Sequence, residues 1–224
     1  MATTEPAAPR LDARLLTAAR LVRPGSPAAD VGCDHGRLAA WLVCTGRCPR
    51  VVASDLRPAP LACARATCES FGCLDRVDCR LAVGLEGLAP GEVRDIVVAG
   101  LSAETTIGIL EAAPWVFSPG VRLVLVPATR HELLRRWLAG RGFALVQDVP
   151  VESAGRWYAV MAADYTGQVW EPGELWCQLG RTGAHPGAAG YREDRFCRWR
   201  KRLRGLADEA ERARQLALME ESKG

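Results

Sequence analysis

The strongest constraint in the chain is an alternation. Short unbroken apolar runs follow one another, each succeeded by a stretch with helical spacing. The runs are AADV (28–31), VVAS (51–54), VDCRL (77–81), DIVVAG (95–100) and VRLVLVP (121–127). Continuous apolar strands, rather than alternating ones, require cover on both faces, as in a parallel sheet. The intervening segments GRLAAWLVC, APLACARATCESF, AETTIGILEAA and RHELLRRWLAGR read as the covering helices. A leading helix over 11–22 places Leu11, Leu15, Ala18, Leu21 and Val22 on one face, before the breaker RPGSP. Two longer strands, FALVQDVPV and RWYAVMAAD, follow with only ESAG between them. That connection is too short for a crossover, so the last two strands are antiparallel neighbours.

The expected fold is therefore α/β, a doubly wound Rossmann-like sheet. Seven strands ending in such a hairpin describe the class I methyltransferase version of that architecture. Residues 1–165 form the sheet domain in this reading. Residues 166–224 form a linker and a basic helical arm. The Gly-, Pro- and Trp-rich stretch 165–190 is expected to pack locally and then leave the domain. From Tyr191 to Met219 a helix returns, as one long helix or as two broken at Gly205. Phe196, Trp199, Leu203, Leu206, Ala210, Ala213 and Ala217 mark a heptad seam. The seam requires a partner: a second helix, the domain surface or another copy of the chain. Between Arg192 and Arg204 seven Arg or Lys face two acids, a local excess of five positive charges.

Composition excludes several classes. No run approaches the roughly 18 apolar residues of a membrane span, and MATTEPAAPR lacks the features of a signal peptide. Nine cysteines are scattered through apolar segments, without a second pair at zinc spacing to match Cys44 and Cys48. They read as reduced thiols of a cytoplasmic protein, with no metal site.

On doubly wound sheets, ligands sit outside the carboxyl ends of the strands. The loop there, ADVGCDHGRL, has the spacing D-x-G-x-x-x-G from Asp30 to Gly36, not the dinucleotide fingerprint. An acidic loop repels pyrophosphate and suits a sulfonium cofactor carrying an amino group. Asp55 ends the second strand, where a carboxylate can accept both hydroxyls of an adenosine ribose or cap the next helix. Together they point to S-adenosyl-L-methionine. The cofactor residues expected are Asp30, Gly32, Cys33, Asp34, His35, Gly36, Asp55, Leu56, Val83, Gly84, Ala99, Gly100 and Leu101.

RLLTAARLVRPGSPAADVGCDHGRLAAWLV resembles the amino-terminal signature of the bacterial tRNA (adenine-22-N1)-methyltransferase family. Asp30, Val31, Gly32, Asp34, His35 and Leu38 match its loop pattern, with Cys33 in place of Ser or Thr. The likeness continues through VGLEGL, DIVVAG, RLVLVP and the terminal hairpin into the arm. It implies methyl transfer from S-adenosyl-L-methionine to N1 of an adenine in tRNA. Asp34 is the candidate catalytic carboxylate: it would stabilise the cationic methylated ring and take a proton from its amino group. The other roles open to it are capping the next helix and binding the cofactor's amino group. Arg198, Lys201 and Arg202 are the candidate tRNA contacts.

The chain departs from the family at Val83, where an Asp is usual, and at Leu101, Ser102 and Ala103, which follow Gly100 in place of Met-Gly-Gly. Val126, Pro127 and Ala128 stand in place of Gln-Pro-Asn. These departures leave two other readings: a methyltransferase with a different substrate, and a tRNA-binding protein without catalysis.

Overall fold

The computed structural model describes residues 8–222. Its seven strands are β1 (Ala28–Val31), β2 (Val51–Asp55), β3 (Val77–Leu81), β4 (Asp95–Ala99), β5 (Arg122–Val126), β6 (Phe143–Ser153) and β7 (Arg156–Tyr165). They form one sheet in the order β3-β2-β1-β4-β5-β7-β6. β1 to β5 are parallel, and β7 runs antiparallel to both β5 and β6. The chain leaves β1 toward β2 on one side and later fills β4 on the other. A crevice therefore opens at the carboxyl ends of β1 and β4.

Helices α1 (Ala13–Leu21), α2 (Arg37–Cys44) and α3 (Pro58–Ser70) cover one face; α4 (Ala103–Glu111) and α5 (His131–Gly140) cover the other. Alternate strand residues feed opposite cores. Ala28, Val97 and Val124 pack with Ala18, Leu38 and Leu42. Val31, Ile96, Val98 and Leu123 pack with Leu110, Leu134 and Leu138. Burial on both faces is why these strands read as unbroken apolar runs. The β6–β7 hairpin pairs Ser153 with Arg156, so its turn is only Ala154 and Gly155. Both have positive φ, +49° and +68°, the twist that a two-residue hairpin needs.

The carboxyl-terminal segment does not leave the domain. α6 (Glu174–Leu179) and α7 (Ala188–Leu203) fold back against α5 and the β6–β7 hairpin. The reason is a buried cation. Arg135 of α5 donates Nε to Asp148 Oδ2 (2.9 Å) and Nη2 to Asp148 Oδ1 (3.1 Å). Its Nη1 reaches the carbonyls of Cys177 and Gln178, and Nη2 also reaches the Tyr191 hydroxyl at 2.9 Å. Arg135 and Asp148 are both wholly buried, so these bonds replace the solvation each would otherwise lose. Gly180 makes room for the pair: a Cβ there would collide with Asp148 Oδ2 and Arg135 Nε.

The apolar seam is also shorter than expected. The helix stops at Leu203, and α8 (Glu209–Glu221) turns back after Gly205. Met219 then closes on Phe196, Trp199 and Leu203, and the Trp199 indole donates to Gln215 at 2.8 Å. Ala210, Ala213 and Ala217 are exposed. The seam's partner is thus the chain's own last helix.

All nine cysteines are free, and seven are buried. Burial pushes the Cys48 and Cys68 thiols up to about 12, so they remain protonated. No cluster of potential metal ligands occurs among the described residues, and none of their helices is long and apolar enough to cross a membrane.

Candidate active site

A cavity of about 930 Å³ occupies the crevice at the ends of β1, β2 and β4. Eleven of the thirteen expected cofactor residues line it: Asp30, Gly32, Cys33, Asp34, His35, Asp55, Leu56, Gly84, Ala99, Gly100 and Leu101. Gly36 and Val83 do not. A Cβ on Gly36 would lie 2.7 Å from the Ala64 Cβ, so this glycine serves the close approach of α2 to α3. The exposed Val83 side chain lines a neighbouring apolar cavity with Leu85, Ile109 and Trp115.

The loop after β1 is a tight knot. Gly32 and Cys33 both donate their N–H to the Ser54 carbonyl, at 2.8 and 2.9 Å. Gly32, Asp34 and Gly36 all have positive φ: +73°, +49° and +65°. Asp is one of the few residues with a side chain that tolerates this region, at some cost. The strained backbone throws the Asp34 side chain outward. It is 65% exposed at the cavity and lies 3.6 Å from His35 Nε2. Gly36, not Asp34, is the capping residue of α2, and no side-chain bond caps that helix.

Asp55 is 6% exposed and accepts from the backbone N–H of Arg57 at 3.0 Å, with the N–H of Asp34 at 3.4 Å. Asp30 is 4% exposed, and its Oδ2 has no hydrogen-bond partner in the protein. Burial raises its carboxyl to about 7; Asp55 and Asp34 push the same way, and a backbone bond from Ala39 opposes them. A buried carboxyl with a free oxygen suits a ligand that brings a cationic or hydroxyl donor.

The residues missed from the sequence include Arg14 and Leu15 of α1, Arg37 and Leu38 of α2, Ser54, Arg57, Ala82 and Ile109. Arg14 stands 5.4 Å over the Tyr158 ring, which carries α1 to the cavity mouth. That interaction joins residues far apart in the chain, so no local pattern announces it. Leu38 belongs to the loop motif itself, and its place at the start of α2 was the available signal.

Three departures from the family pattern are accounted for locally. Ser102 caps α4, accepting from the Thr105 N–H at 3.1 Å, and Ala103 is buried beneath it. Neither lines the cavity, so their Cβ atoms do not enter it. Ala128 donates its N–H to the Leu101 carbonyl at 2.8 Å, fastening the loop after β5 to the loop after β4.

The three candidate tRNA contacts differ. Lys201 is exposed. Arg198 is half-exposed and bound to Asp194 at 2.8 Å. Arg202 is bound to the buried Glu132 of α5, so its charge also serves packing.

A family model described as a methyltransferase domain matches residues 11–161. The Bacillus subtilis tRNA (adenine(22)-N(1))-methyltransferase is 30% identical over 155 residues, 69% of this chain. The aligned segment spans 65% of that relative, just under two thirds of its length. Among solved structures, M. capricolum TrmK in complex with S-adenosyl-homocysteine superposes with a TM-score of 0.79 at 20% identity, over 95% of this chain and 97% of that one. The B. subtilis TrmK structure gives 0.71 at 23% identity, over 95% of each chain. The matched region runs from the leading helix into the terminal hairpin and contains the cavity at the sheet's switch point. The chain belongs to the methyltransferase-domain family.

Proposed function

We propose that this chain transfers a methyl group from S-adenosyl-L-methionine to N1 of an adenine in tRNA, at position 22. The observation that carries the reading is the convergence of Asp30, Asp34 and Asp55 on one cavity at the switch point of the sheet. The resemblance to tRNA (adenine(22)-N(1))-methyltransferase supports the substrate. Free buried thiols accord with a cytoplasmic setting.

When bound, the cofactor supplies a sulfonium-activated methyl group. Asp55 would accept the two ribose hydroxyls, and the free Oδ2 of Asp30 would accept from the amino group. Gly32, lacking a Cβ, lets the backbone approach the ligand. Neutral adenine already carries a lone pair on N1, so the protein need not create a nucleophile. It must hold the Watson–Crick edge unpaired and aligned, and much of the rate derives from that positioning. Asp34, exposed at the cavity beside His35, would stabilise the cationic methylated ring and accept the proton its amino group releases.

Ser102 and Ala103 lie outside the cavity and so do not argue for lost catalysis. Calorimetric titration with S-adenosyl-homocysteine tests the cavity. Saturable one-to-one binding is expected; no heat from folded protein would overturn the reading.

A further inference from the structure

A second, smaller cavity of about 170 Å³ opens at the start of α5, and five arginines line it: Arg130, Arg156, Arg195, Arg198 and Arg202. Ligand pockets for larger molecules run from about 300 Å³, so this one suits a small group.

Arg195 is the key residue. It is 4% exposed, and its Nη2 donates to Glu132 Oε2 at 2.7 Å and to Gln178 Oε1 at 3.2 Å. Its Nε–H, also buried, has no partner in the protein. Glu132 is the acid in the cavity's lining, and two more, Asp194 and Glu104, reach its arginines from outside. Glu132 is shared by Arg130 (2.9 Å), Arg195 and Arg202. Asp194 holds Arg198, and Glu104 holds Arg130 at 3.2 Å. Arg156 stands 5.8 Å over the Tyr158 ring and, among the described residues, pairs with no carboxylate. Five guanidinium groups against three carboxylates leave an excess of two positive charges. His131 adds none, because burial and the neighbouring arginines hold its imidazole neutral.

Guanidinium forks match the oxygens of phosphate. The pocket also lies one loop from the larger cavity: Ala128 lines it and bonds to Leu101, which lines the other. We propose that this arginine pocket holds a single backbone phosphate of the RNA whose base enters the larger cavity. Arg156, Arg195 and Arg198 would be its ligands, while Arg130 and Arg202 position the pocket through Glu132. The proposal rests on the RNA-methyltransferase reading above.

The test uses the full chain and inorganic phosphate as probe, following arginine Nε–H resonances. The Arg195 Nε–H signal is expected to shift saturably, and phosphate should compete with tRNA but not with S-adenosyl-homocysteine. The double variant Arg156→Gln, Arg198→Gln leaves the buried Arg195–Glu132 pair in place. It should lose the phosphate response and bind tRNA about tenfold more weakly. Its log–log salt slope should fall by about one in all, for the single phosphate the pocket holds. An unmoved Arg195 signal overturns the site. A shifted signal with unchanged tRNA affinity in the double variant marks an adventitious ion only and overturns the RNA role. If the parent methylates tRNA while the double variant binds it equally well, only the pocket falls; if the parent neither binds nor methylates tRNA, both readings fall.

Discussion

The backbone nitrogen of Asp34 lies 3.4 Å from the Asp55 carboxylate, which ties the turn after β1 to the end of β2. Asp55 also accepts from Arg57 on its other oxygen. One buried carboxylate therefore shapes both loops that floor the cavity, while the Asp34 side chain stays exposed at its surface beside His35.

Replacing Asp55 with Ala should weaken S-adenosyl-homocysteine binding by about 1–3 kcal/mol, because buried ribose hydroxyls would lose a charged partner. Calorimetry measures this, with thermal melting to show that the variant is folded. Parent-like affinity would remove Asp55 from the cofactor site.

Asp30 makes cofactor binding pH-dependent. Its carboxyl is raised from 3.8 to about 7, so the folded chain holds a proton there that the unfolded chain has lost between those values. Stability from this group is present below about 4 and declines as pH rises through about 7. A cationic amino group arriving beside Asp30 favours the carboxylate and expels the proton. Calorimetry at about pH 6, on the acid side of that raised carboxyl, in buffers of different ionisation enthalpy should therefore report proton release on binding. Asp30→Asn should abolish the release; a parent showing none would contradict the placement of the amino group.

Asp34→Asn keeps the shape of the loop and removes one charge. Methyl transfer should fall at least about tenfold, as expected for a lost proton acceptor, while S-adenosyl-homocysteine affinity stays near that of the parent. Equal loss of both would make Asp34 a cofactor ligand, and no loss of either would remove it from the chemistry.

Asp148→Ala strands the Arg135 cation in the interior. Denaturant unfolding should show a loss of about 3–5 kcal/mol, the usual cost of breaking a buried pair from one side. A loss under about 1 kcal/mol would mean that the carbonyls and Tyr191 suffice to hold Arg135.

Local signals made the parallel sheet legible. AADV and VDCRL became β1 and β3 residue for residue, because burial on both faces leaves a continuous apolar record. The loop from Asp30 to Gly36 was legible for the same reason, as a polar interruption at a strand end. The fate of the carboxyl terminus was not. It depends on Arg135, Asp148 and Tyr191, which stand far apart in the chain and meet only in the fold. Arg135 in RHELLRRWLAGR reads as an ordinary charge on an amphipathic helix, yet it is wholly buried. The arginine pocket was hidden likewise, since Arg156 comes from the hairpin and Arg195 from α7.

The most direct measurement incubates the full chain with methyl-labelled S-adenosyl-L-methionine and two unmodified tRNA transcripts. One is natural; the other has guanine in place of the adenine at position 22. Label should enter the first and not the second, and nucleoside analysis should place it on adenine N1. Equal labelling of both transcripts, or none with cofactor demonstrably bound, would contradict the account.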